Sequence, residues 1–184
     1  MAINQIRQYA NFTGVGTGNL ATRNVPVSGT HYMYYLRFLT SGGALITEAQ
    51  LINDMDLVRV KVDGQTYIEM TGEQALRMYD YYYEATAGVG VTAGTLPICL
   101  APQYLSTYPQ TDALAWGMLG IGDVTIEVQL DGTSITTSQI ELYVEKTDFS
   151  QYLGRHIRVN RYQENFSTTG EQTVTSINPR NPSV

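Results

Sequence analysis

A chain of 184 residues suits one domain plus tails, and folding at this size buries roughly 70% of the unfolded surface, enough for a core of its own. Charged residues make up only 15%, against about 25% in ordinary soluble chains; with 17 Gly and 14 Tyr, this favours a β protein with extensive protein contacts. The net charge of -6 argues against nucleic-acid binding as the main role.

The charge is unevenly spread. Residues 1–30 hold Arg7 and Arg23 and no acid, residues 31–150 hold 5 bases and 15 acids, and residues 151–184 hold four Arg against Glu164 and Glu171. An acidic body with two basic ends fits either a particle subunit whose ends touch something anionic or a domain with solvated tails.

Residues 1–18 read as an arm, with apolar Ile3, Ile6, Tyr9 and Phe12, closing on the hinge-like run from Gly14 to Gly18. Its G-x-G spacing fails as a dinucleotide loop, because no strand leads in and no helix follows. A strand is expected over Asn19–Val27. His31–Leu39 is aromatic and apolar on both faces and reads as an interior strand. Thr47 to Gln50 is a capping box with Ile46 and Leu51 as a hydrophobic staple, so a short helix starts there. Val58, Val60 and Val62 alternate with Arg59 and Lys61, Asp63-Gly64 supplies a two-residue turn, and Gln65–Met70 returns as the second arm of a hairpin. Thr71 to Gln74 is a second capping box, opening a helix to about Glu84. Tyr81, Tyr82 and Tyr83 present rings on more than one side of it, either to cap a barrel end or to form a subunit interface.

Further strands are expected at Leu96–Leu100, Leu114–Leu119, Val124–Leu130 and Ile140–Glu145, giving about eight in all. From 149 the pattern turns polar until one more strand, Thr173–Ile177, and Pro179 and Pro182 follow. The fold class is therefore all-β: an eight-stranded jelly-roll sandwich with two short helical insertions. Its organisation is an arm (1–18), a barrel (19–148), and a linker with a lone strand (149–184).

Catalytic and metal constellations are not expected. His31 and His156 lack spaced partners, so zinc is not expected, and His31 reads as structural. Cys99, in an apolar stretch, reads as a core thiol. Asp54 and Asp56 lack an EF-hand pattern and read as solvated turn carboxylates rather than calcium ligands. The chain has no G-x-S-x-G elbow and no Walker A run. No secretory signal or membrane-spanning run is apparent, so the sequons at Asn11 and Asn165 carry little weight. No cofactor, catalytic residue or sequence-specific nucleic-acid partner is expected.

The order of these pieces carries a resemblance. A strand in the segment Val25–Arg37 leads to a capped helix, then VRVKVDGQTYIEM (Val58–Met70) with a helix directly behind it, then DVTIEVQL (Asp123–Leu130) and IELYVE (Ile140–Glu145). The chain resembles, over about residues 19–178, the N-terminal jelly-roll half of corticovirus-type double jelly-roll major capsid proteins of tailless, membrane-containing phages. Arg155 to Pro182 resembles that family's linker and the first strand of its second barrel. The resemblance implies a structural, non-enzymatic subunit of an icosahedral virion capsid, made in the host cytoplasm. In full length it would be a homotrimer, contacting neighbouring capsid proteins, with its basic ends toward the interior, near membrane or other subunits.

Two other readings stand beside this one. A single-barrel receptor- or glycan-binding vertex or spike protein would use loops such as Tyr104–Gln110. A cupin-like enzyme would need clustered His and Glu ligands, which two distant histidines cannot supply.

Overall fold

The structure is a computed structural model that describes residues 5–87, 94–101, 114–154, 156, 158, 159 and 161. Its strands are β1 (Gln5–Tyr9), β2 (Leu20–Val25), β3 (Thr30–Leu39), β4 (Met55–Val62), β5 (Gln65–Met70), β6 (Thr95–Cys99), β7 (Trp116–Gly117), β8 (Val124–Leu130) and β9 (Gln139–Thr147). Two helices interrupt them, α1 (Glu48–Asp54) and α2 (Gly72–Ala87). One sheet runs β1-β9-β3-β6, with two-residue β7 also on β3; the other runs β2-β8-β4-β5. Setting β7 aside and numbering the eight long strands in sequence, the sheets read 1-8-3-6 and 2-7-4-5. That interleaving, with every pair antiparallel, is the jelly-roll order expected from the sequence.

Register makes the core. In the first sheet Tyr34, Leu36 and Phe38 stand opposite Val144, Leu142 and Ile140, and Ile98 and Leu96 oppose Tyr34 and Leu36 on the other side. In the second, Val58, Val60 and Val62 stand opposite Val128, Ile126 and Val124, with Met70 and Ile68 beyond. All of these belong to one buried cluster, because opposed residues share a face and alternate ones point away. Each such side chain contributes about 1.5–3 kcal/mol on leaving water.

Local chemistry sets the corners. Asp63 and Gly64 both take positive φ (48° and 77°), the pairing that a two-residue hairpin turn requires. Thr47 caps α1 with both reciprocal hydrogen bonds of the capping box present, and Ile46 and Leu51 are buried together in the core. Gly29 turns at φ 82°; a β-carbon there would strike the Thr147 carbonyl.

The sequence reading differs from the structure at three places. Gln5–Tyr9, assigned to an arm, hydrogen-bonds along β9 as an edge strand, so the sheet includes residues ahead of Asn19. The pattern hid it because its interior-facing positions are Gln5, Arg7 and Tyr9, opposite Lys146, Val144 and Leu142, while Ile6 faces outward and is 62% exposed. Leu114–Leu119 shrinks to the two residues of β7. The third difference is Asp54, read as solvated but buried. Its Oδ2 accepts from Thr136 N (2.8 Å), Thr137 N (2.7 Å) and Thr137 Oγ1 (2.7 Å), and its carbonyl accepts from Asp131 N. The carboxylate thus holds the β8–β9 loop against the end of α1. The expected strand Thr173–Ile177 lies outside the described residues.

This clamp yields a contrast. Asp54→Ala leaves two backbone N–H groups and a hydroxyl without their acceptor and should lower unfolding stability by about 3 kcal/mol or more. Asp56→Ala, at an exposed position, should change it by less than about 0.5 kcal/mol. Denaturant unfolding of both variants measures this, and equal effects would contradict the clamp.

Candidate functional site

The outer faces of both sheets are polar and largely neutralised. On the β2-β8-β4-β5 sheet, Arg59 pairs with Glu69 at 2.7 Å and Lys61 with Glu127 at 2.6 Å, a ladder across three strands. On the other sheet, Arg37 lies 3.3 Å from Glu141 and donates to the Tyr143 hydroxyl at 3.0 Å. The Tyr35 hydroxyl donates to Glu145 at 3.1 Å; burial foremost, then the Glu145 charge, pushes that phenol far above its ordinary range. α2 lies over the same face, where Tyr79 packs with Met33, Cys99 and Tyr35. Cys99 is buried there, its thiol donating to the Ala101 carbonyl, a packing role in keeping with its apolar flanks. Tyr81–Tyr83 continue α2; Tyr104–Gln110 and Asn165 lie outside the described residues. Asn11 is exposed on the β1–β2 connector. Gly14 and Gly18 take positive φ in that connector, which leads into β2 and no helix. Among the described residues, no three of His, Cys, Asp and Glu gather as a metal site.

One end of the barrel carries an exposed apolar group: Val27, Leu119, Phe149 and Tyr152, the last two 67% and 72% exposed. The segments that carry it are tied together: Leu119 N donates to Gln151 O, Thr30 Oγ1 to Phe149 O, and Gly29 N to Ser150 Oγ. From here the chain turns back along the barrel. The His156 ring lies 4.8 Å from Tyr67, the Arg158 guanidinium 4.1 Å above the Tyr67 ring, and Trp116 meets Tyr67 edge-on at 5.6 Å. Val159 then forms a parallel bridge to β5, exchanging hydrogen bonds of 3.0 and 2.8 Å with Tyr67 and Glu69. The open edge of β5 is thereby partly covered, one of the ways proteins protect a free edge. Nothing in the sequence pattern pointed to this return.

A bulge brings His31 into the interior beside Lys146. The β3–β9 register slips between His31 and Met33, which turns His31 to the core face, where its partner Lys146 already lies in phase with Val144 and Leu142. Both are buried. His31 Nε2 lies 3.1 Å from the Ser28 carbonyl, so it carries the proton, and Nδ1 accepts from the Tyr34 hydroxyl at 3.0 Å. Burial, with a smaller push from the Lys146 ammonium and against the Ser28 bond, lowers His31 to about 4. Burial, and secondarily Tyr9, raises Tyr34. The histidine is structural, as the lack of spaced partners implied.

A pH dependence follows. The folded state holds His31 neutral, whereas unfolding returns it to its ordinary value of 6.5. Its contribution is therefore complete above 6.5 and lost as pH falls toward 4, a change of about 3 kcal/mol. His31→Gln should flatten the loss between pH 7 and 4 in denaturant titrations; an unchanged slope would contradict the assignment.

Among curated proteins none matches the chain. Several solved structures share the fold, among them three viral capsid proteins. The major capsid protein P2 from Bacteriophage PM2 superposes with a TM-score of 0.64 at 16% identity, over 80% of this chain and 52% of that one. The PBCV-1 virus capsid gives 0.58 at 11%, over 80% and 48%. PBCV-1 VP54, fitted into a reconstruction of the virophage Sputnik, gives 0.59 at 13%, over 87% and 51%. The chain thus spans about half the length of each. In sequence, residues 6–148 match the family of viral coat protein P2 N-terminal domains. That span takes in nearly all of β1 and every strand through β9, and the chain belongs to this viral coat protein family.

Proposed function

We propose that the chain is a structural, non-enzymatic subunit of an icosahedral viral capsid, located in the virion and self-assembling through its barrel flanks and termini. The observation that carries this is the family match over residues 6–148, which coincides with a complete 1-8-3-6/2-7-4-5 sandwich. The physics suits the role: a closed double sheet leaves few free edges, its outer faces are set with paired charges, and one interface repeated under symmetry builds a shell.

The wider architecture belongs to the same proposal. Residues 149–184 lead toward a second barrel, and three copies of the longer protein form a trimeric capsomer with neighbouring capsid proteins around it. The basic ends face an internal viral membrane, and no nucleic-acid sequence is read. In support, the chain is about half the length of the capsid chains that share its fold, and both ends carry a net positive charge.

Light scattering on this chain and on a product extended past Val184 tests the architecture. The extended product should be a stable trimer of three times its own mass. An extended product that stays monomeric at high concentration would overturn the trimer, and absence of the chain from purified virions would overturn the capsid role.

A further inference from the structure

One flank of the sandwich holds uncompensated positive charge. β1 and β2 border the same open side, because their connector bonds to both sheets: Phe12 N donates to Ile140 O of β9, and Thr13 bridges Thr22 of β2. Register places three cations on core-facing positions along this side, although the Arg7 side chain itself is exposed. Arg23 stands opposite Ile126, Arg7 opposite Val144, and Lys146 opposite Gln5, all on positions that face the core. Arg23 is half-buried, and its buried Nε has no hydrogen-bond partner among the described residues; no ion pair satisfies it there either. Lys146 is buried, and among the described residues its ammonium bonds to Ser28, through the carbonyl at 3.2 Å and Oγ at 2.9 Å, and to no carboxylate. Arg7 donates to the Gln5 side-chain carbonyl and, among the described residues, has one acid partner, the exposed Asp148 at 3.5 Å. A buried cation without an anion is costly, and an inward-facing charge on an edge strand keeps that edge from pairing with another strand. Edge protection accounts for Arg7, which has Asp148 beside it; it leaves Arg23 and Lys146 with no carboxylate partner among the described residues.

The same molecule carries complementary charge away from that edge. Glu48 in the first turn of α1, Asp56 at the start of β4 and Glu73 in the first turn of α2 are all exposed, and none has a hydrogen bond or ion pair among the described residues. The three elements pack on one another. Helix dipoles favour acids at the two helix starts, but Asp56 lies on a strand and has no such support. In the order β2-β8-β4-β5 this acidic shoulder sits away from the β2 edge, so one copy cannot fill its own notch.

We propose that the notch between β1 and β2, centred on Arg23, receives the acidic shoulder of a second copy of this chain, so that neighbouring barrels join flank to flank. Such a contact is heterologous and propagates into a closed ring or a lattice. It specifies one interface of the self-assembly described above and rests on that reading.

Charge reversal tests it on the full 184-residue chain, with self-association measured by sedimentation equilibrium and folding checked by thermal melts. Wild-type association should weaken as salt rises from about 20 to about 500 mM. Arg23→Glu and Asp56→Lys should each weaken association at low salt about tenfold or more, since each sets like charges face to face. The double variant, in which the acid and the base have exchanged sides of the contact, should recover most of the loss. Wild-type chain that is monomeric at low salt, single variants that associate as wild type, or a folded double variant without recovery would each overturn the notch. Such failures leave the capsid reading standing, because that reading falls only if the chain is absent from the particle.

Discussion

The pairing of β3 with β9 is the constraint on which the rest depends. It joins residues 110 positions apart in sequence, as the Tyr35–Glu145 hydrogen bond shows, and nine residue pairs hold its register. β1 adds to the far side of β9, and β6 and β7 add to β3. Tyr34, Leu36 and Phe38 meet the valines of β4 and β8 only when this register is right. A slip of one residue would carry every interior side chain to the outer face. Because such long-range pairing must be formed before it is rewarded, folding should be slow for the chain's size, and the acidic body helps keep unfinished chains apart.

Polar groups inside the sandwich fix details that apolar packing leaves free. Asp54 determines where the β8–β9 loop lies. Within that loop Asp131 accepts from Thr133 and Ser134, bonds that hold its carboxyl below the usual range. At the opposite end the bulge at His31 turns a histidine inward beside Lys146, under the Ser28 carbonyl. Each group is tied to a loop, so the polar interior governs the shape of the barrel's two ends. In a subunit that meets others along its rims, those ends must be as well defined as the core.

Local signals made part of this structure legible in the sequence. Val58, Val60 and Val62 announced β4, Asp63-Gly64 the hairpin, and Thr47 with Gln50 the start of α1, because each rests on geometry within a few residues. The order of these pieces carried the jelly-roll reading and the family. The features that escaped depend on distant partners. β1 places Gln5 and Arg7 at interior-facing positions beside an open edge, which no alternation rule marks as a strand. Asp54 looks like a turn carboxylate until a loop more than 80 residues later arrives with three donors. The return of His156, Arg158 and Val159 along β5 depends on Tyr67 and Trp116, far away in sequence. The cationic notch was visible only as a basic chain terminus, since facing inward is a property of register.

The account's central claim is that this sandwich is the repeating unit of a viral shell, and a cryo-electron microscopy reconstruction of purified particles tests it most directly. The account predicts barrels with the 1-8-3-6 and 2-7-4-5 strand order tiling every facet, with β1 ordered along β9 in each copy. Facets built from another fold, with this chain confined to the vertices or to spikes, would contradict it.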